Sequence, residues 1–272
     1  MSEQAIAIYC FIDDFFLTIG RKSDFQCKTK DAEVLTTALM AALYFYGNQQ
    51  AAMNYMKQHH KFCVIDKSGF NRRLHKLQQE LTTLFYALAG VLKRLNTSSN
   101  YLIDSFPVAV CDNIRIQRSK ILKDEIYRGR HSSHRRYFYG FRVQVVTTED
   151  GLPVQFYIHA GSFVDITAFQ AISIDIPEGS TLYADAGYTS YDEEDLYQEV
   201  ENITLKVCRK DNAKRKDEPY QAFLKNYYRK RIETTFSEIT AHFPKKIHAV
   251  TQTGFVIKLI LFIFAFTISK IC

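Results

Sequence analysis

The feature that most constrains the fold is a change of hydrophobic period at residues 96–100. The segment Asn96-Thr97-Ser98-Ser99-Asn100 is built of polar turn formers and carries no long apolar side chain. Before it, apolar residues recur at helical spacing. Lys30-Asp31 followed by AEVLTTALMAALYFYG predicts a helix with Asp31 as its cap and Gly47 at its end. A second helix is expected over 49–59. A third is expected over 70–95, where Phe70, Leu74, Leu77, Leu81, Leu84, Leu88, Val91 and Leu95 advance in alternating steps of 4 and 3. That seam could serve dimerisation. Phe85 and Leu92 widen it beyond a coiled-coil stripe, so packing inside a helical domain is the expected use.

After the polar segment the runs shorten and become β-rich. YLIDSFPVAV predicts a strand ending at Pro107. YFYGFRVQVVTT and LPVQFYIHA predict two strands joined through Glu149-Asp150-Gly151. Asp165 opens a helical stretch, for which it is the expected N-cap. TLYADAGY reads as a strand leading into a turn, and ITLKVC as a further strand. Between 224 and 243 the period returns to helical, with Leu224, Tyr228, Ile232, Phe236, Ile239 and Phe243 on one face. Three strands, a helix, two strands and a helix make a mixed sheet flanked by helices, an α/β arrangement. A small all-α domain over 1–98 and an α/β domain over 99–272 are the expected divisions.

The 272 residues are 47% hydrophobic and 24% charged, which excludes a disordered chain. Six cysteines are scattered without a C-x-x-C pair, arguing against a cysteine zinc site or disulfide framework and for a reducing cytosol. The first residues lack the basic region and cleavage site of a signal peptide. Near the C-terminus, the 11 uncharged residues between Lys258 and Lys270 fall short of the roughly 20 that a spanning helix needs. A buried core helix and no membrane contact are expected.

The net charge of +6 is unevenly spread. Residues 1–100 carry 12 basic and 8 acidic groups, residues 101–200 carry 9 and 15, and residues 201–272 carry 14 and 6. The acidic middle is where metal or acid–base chemistry is expected; the basic flanks suit a polyanion. Asp104 sits inside the apolar run YLIDSF, where a lone carboxylate is costly unless paired, metal-bound or at a strand end. Asp185, in TLYADAGY, falls at a strand end before a glycine turn, where α/β sheets bind ligands. Glu233 borders the apolar face of the late helix. Each has an ordinary structural alternative: a strand end, a turn with Gly187, and an ion pair with Arg229 one turn away. Together, three separated carboxylates could hold a pair of divalent ions.

The ordered motifs IDSFPV, CDNIR, RRYFYGFRV, YADAGY and RKRIETTFS, with YCFIDDFF near the N-terminus, resemble bacterial insertion-sequence transposases of the DDE superfamily, most nearly the group numbered nine-eight-two. The resemblance spans nearly the whole chain. It implies an RNase H-like catalytic core with Asp104, Asp185 and Glu233 as the catalytic and metal-holding carboxylates, in that order. The intervals of 81 and 48 residues agree and leave no room for a large insertion before Glu233. Related enzymes carry Y-x2-R-x3-E-x6-K around the last carboxylate. Arg229 and Glu233 fit that pattern; Asn226 and Thr240 occupy the Tyr and Lys positions, whose roles are not carried over.

Two basic stretches are expected to touch DNA. Residues 128–136 (RGRHSSHRR) contain Arg128, Arg130, Arg135 and Arg136, and their cations favour phosphate contact over a metal at His131 and His134. Residues 206–231 hold ten basic groups against three acidic ones, including Arg209, Lys210, Arg229, Lys230 and Arg231. The expected function is a DNA transposase. With two Mg²⁺ ions, or Mn²⁺ in their place, it would cleave double-stranded DNA at the element's ends and join the freed 3′-OH to target DNA. The helical domain would recognise the terminal repeats. A homodimer at synapsis and a cytoplasmic, nucleoid-associated location go with that reading. A metal-dependent nuclease and a non-catalytic DNA-binding descendant are the alternatives.

Overall fold

A computed structural model of the protein describes residues 1–21, 26–62, 65–112, 116, 119, 121–131, 136–209 and 213–271. The chain divides into two compact units. One comprises residues 1–87 with 242–272, and the other residues 88–241. The chain thus leaves the helical unit, builds the sheet, and returns. This differs from the expected division at 98/99, because the C-terminal helix packs with the N-terminal helices.

In the helical unit, α1 (Ser2–Thr18), α2 (Asp31–Tyr44), α3 (Gln49–His60) and α4 (Lys67–Lys76) precede α5 (Gln78–Leu95), which runs on into the second unit. The stretch expected as one helix over 70–95 breaks at Leu77, whose N–H closes the last turn of α4. The apolar seam continues past the break and ends further on: Leu81, Leu84 and Phe85 are buried, whereas Val91 and Leu95 are exposed. Lys30, not Asp31, is the N-cap of α2, and the Glu33 carboxylate accepts from the Lys30 N–H at 2.7 Å. Asp31 instead pairs with Arg21 at 3.1 Å and with Arg73. A side chain in the first turn can face a distant cation as readily as its own amides, and local sequence does not distinguish the two. The last helix, α9 (Gln252–Ile271), is apolar and long enough to cross a membrane, yet 67% of its apolar window is buried inside the protein. It packs on α2, and Phe264 meets Phe85 edge-on at 5.7 Å.

The second unit holds a mixed sheet. Strands β1 (Asn100–Asp112), β2 (Arg128–His131), β3 (Arg136–Thr148), β4 (Pro153–Ala160), β5 (Thr181–Ala184) and β6 (Thr204–Val207) are arranged with β3-β1-β5-β6 as the spine. β2 and β4 pair with β3 beyond its β1 side. β1 and β3 are antiparallel, whereas β1, β5 and β6 run parallel. The expected α/β mixed sheet is therefore present, but three details differ. β1 continues through Pro107 to Asp112. β2 adds a strand inside the basic stretch. A helix, α7 (Tyr191–Val200), follows β5, because parallel neighbours need a crossover. Ser190 caps it and three acids occupy its first turn. Close packing at the β1 bulge requires Gly140: a Cβ there would lie 2.2 Å from the Val108 carbonyl oxygen.

Two helices complete this unit, α6 (Asp165–Gln170) and α8 (Pro219–His242). Side chains alternate across a sheet, so Leu102, Asp104 and Phe106 share one face of β1. α8 covers that face. Phe236 meets Phe106 at 5.8 Å, and Tyr228 stacks on Tyr183, the register partner of Leu102, at 3.9 Å.

Candidate active site

The parallel register pairs Ile103 with Ala184. Asp104 and Asp185 are the next residues along two strands that lie about 4.8 Å apart. Asp104, in the middle of β1, therefore stands level with Asp185, just past the carboxyl end of β5, on the face α8 covers. On α8, Arg229 and Glu233 lie one turn apart, beside the buried Ile232 and Phe236. The Arg229 guanidinium stands between the second and third carboxylates, its Nε 3.5 Å from Asp185 Oδ1 and 3.3 Å from Glu233 Oε1. The fold thus brings Asp104 beside Asp185, and Asp185 and Glu233 against one cation.

The three carboxylates differ in environment. Burial pushes the Asp104 carboxyl up to about 7, and the nearby charges of Asp165 and Asp185 add to the effect. The Ser105 N–H, donating to Asp104 Oδ1 at 2.7 Å, and the Arg142 charge oppose it. Asp185 Oδ1 is buried and accepts no hydrogen bond. Glu233 is exposed. Among the described residues, no three His, Cys, Asp or Glu side chains are gathered to hold one ion. Asp104 and Asp185 nevertheless suit a divalent metal. They offer hard oxygen donors, one buried oxygen that accepts no hydrogen bond, and a carboxyl on which burial outweighs the Arg142 charge. Glu233 could join them only where Arg229 gives way.

Asp185 also opens on a cleft of about 590 Å³ lined in part by Lys216, Lys225, Asn226 and Arg229. Lys225 is tied to Asp217 at 2.5 Å.

Of the cations expected on DNA, Arg128 pairs with Glu125 at 3.1 Å at the start of β2, and Arg130 is exposed on the same strand. Lys230 is exposed on α8. Arg209 is nearly buried, with both fork nitrogens on the Glu194 carboxylate. Arg231 donates to the Glu149 carbonyl oxygen at 2.7 Å, tying α8 to the β3–β4 turn. Arg135, Lys210 and His134 lie outside the described residues, as do the side chains of Arg136 and His131.

Sequence reasoning missed a polar network on the opposite face of the sheet. Asp165 is the first helical residue of α6, preceded by Val164 at the N-cap, and caps nothing. Its Oδ1 accepts from Arg142 at 2.9 Å and from the Ser105 hydroxyl. Gln144 donates to the buried Tyr188 hydroxyl at 3.0 Å. The available signal was Arg142 and Gln144, two polar residues spaced by two in the apolar run of β3.

A family model described as a transposase DDE domain matches residues 95–249, a span that includes all three carboxylates. No curated protein and no solved structure matches the chain.

Proposed function

This chain belongs to the transposase DDE-domain family, and on that premise we propose that it cuts DNA at the ends of a mobile element and joins the freed 3′-OH to target DNA. A DNA transposase is a phosphoryl transferase, and domains of this family use divalent metals. The observation that carries the finer reading is the register that ends at Ile103 and Ala184, with Asp104 and Asp185 the next residue on each chain segment.

Asp104 and Asp185 hold the divalent ion, Mg²⁺ or Mn²⁺, and Glu233 is the third carboxylate. When bound, the metal stabilises charge developing on phosphate oxygens and makes water a better nucleophile. The protein's own groups do the rest. Burial pushes the Asp104 carboxyl up to about 7, so at neutral pH a cation beside it would draw it towards the carboxylate. Arg229 offers a fork that fits a phosphate as well as the two carboxylates it now touches. Lys230 and Arg130, exposed on α8 and β2, hold the DNA backbone. The carboxylates are not nucleophiles, so no covalent protein–DNA intermediate forms.

The test is a strand-transfer assay with a pre-cut, labelled transposon end and a supercoiled target, in Mg²⁺ or Mn²⁺ against EDTA. A joined product that needs metal and is lost in Asp104→Asn, Asp185→Asn and Glu233→Gln is expected. A variant that still joins removes its residue from the site, and DNA binding without metal-dependent cutting overturns the reading.

A further inference from the structure

Asp165 stands with Ser105 and Arg142, whose positions alternate with that of Asp104 across the sheet. Its contacts reach the segments that follow both Asp104 and Asp185. Asp165 Oδ1 accepts from the hydroxyl of Ser105, and the Ser105 N–H donates to Asp104 Oδ1. Asp165 Oδ2 lies against Gly187, two residues past Asp185, where a Cβ would come within 3.2 Å of it. Arg142 holds Asp165 at 2.9 Å and is anchored in turn by the Arg130 carbonyl oxygen at 3.1 Å. One carboxylate, held by one arginine, therefore touches the chain just after Asp104 and just after Asp185.

We propose that Asp165, held by Arg142, is a positioning residue that sets Asp104 and Asp185 in register for the divalent ion. The proposal rests on the reading that those two carboxylates hold the metal. Supports of this kind, removed one at a time, cost metal sites about 10- to 100-fold in affinity.

The experiment measures Mn²⁺ affinity by calorimetry on the intact chain, with circular dichroism as the check on folding. Asp165→Asn and Ser105→Ala should each weaken Mn²⁺ about tenfold or more. The double variant should be no worse than the weaker single, because both act through one contact. Strand transfer should return towards the wild-type rate at saturating Mn²⁺. Ser105→Ala leaves Asp165 its arginine and keeps the test open if Asp165→Asn fails to fold. Wild-type Mn²⁺ affinity in folded variants, or additive losses, overturns the proposal. Asp104→Asn binding Mn²⁺ as tightly as wild type overturns the metal reading instead.

A different observation concerns the helical unit alone. Two adjoining cavities of about 260 and 510 Å³ share Gln49, Lys67, His248 and Lys258, and Lys246 and His75 extend their lining. No described carboxylate lines either one. Tyr46 is 80% exposed at the rim. We infer that this groove, built from both ends of the chain, seats the sugar–phosphate backbone of DNA. Fluorescence anisotropy with a labelled random-sequence duplex at graded KCl tests it. Lys67→Ala with Lys246→Ala should weaken binding and lower the salt slope by about 2. An unchanged slope overturns the groove, whereas a wild-type chain that binds no duplex overturns the DNA reading itself.

Discussion

Half-buried, with Asp165 and Asp185 acting on it, Asp104 has its carboxyl pushed up to about 7 from 3.8. Between those values the folded protein binds the extra proton, so stability falls as pH rises from about 4 to about 7. The gap of about three pK units corresponds to a loss on the order of 4 kcal/mol. Asp104→Asn abolishes this fall. In EDTA, thermal melts should therefore show the variant gaining on wild type from pH 5 to pH 8; parallel melting curves across that range would contradict the assignment. Asp104, Asp185 and Glu233 drew attention because each is a carboxylate in or beside an apolar run, a local anomaly, and the family resemblance pointed to the same three. Asp165 was misread as a helix cap. Its partner Arg142 lies on a strand 23 positions away, and only the sheet brings them together.

Among the elements, α8 has the most distributed role. Tyr228 stacks on Tyr183, its hydroxyl accepts from Asn100 at 3.0 Å, and it donates to Glu149 at 3.3 Å. Arg231 ties the same helix to the β3–β4 turn. These contacts set the height at which Arg229 and Glu233 stand over the strand ends. Tyr228→Ala should cost about 3–5 kcal/mol in urea unfolding, and Tyr228→Phe only about 1. Equal losses would mean that the hydroxyl, not the ring, carries the contact. The periodicity made α8 visible and so was the hairpin turn, since both signals are local. β2 and α7 were not. β2 is a short, charged strand held in register by β3, and α7 is demanded by parallel pairing that no short window contains.

For the molecule as a whole, the change of period at residues 96–100 marked where the sheet begins but not where the helical unit ends. α9 reads as an apolar core helix in sequence, and it is one, but nothing local states which core it joins. Phe264 is fully buried against Phe85. Phe264→Ala should therefore loosen residues 1–87 and 242–271 by about 3–5 kcal/mol. Hydrogen exchange should quicken there while β1 amides keep their protection; loss confined to β1 would place α9 in the other core. The returning chain also has a consequence for biosynthesis. On the ribosome the whole sheet emerges before α9 does. The first four helices must wait, their apolar face uncovered, until the last helix is made. A ribosome that stalls between α8 and α9 leaves a chain with every proposed metal-holding residue translated and a helical body that cannot close, a species that chaperones and proteases would meet first at α2.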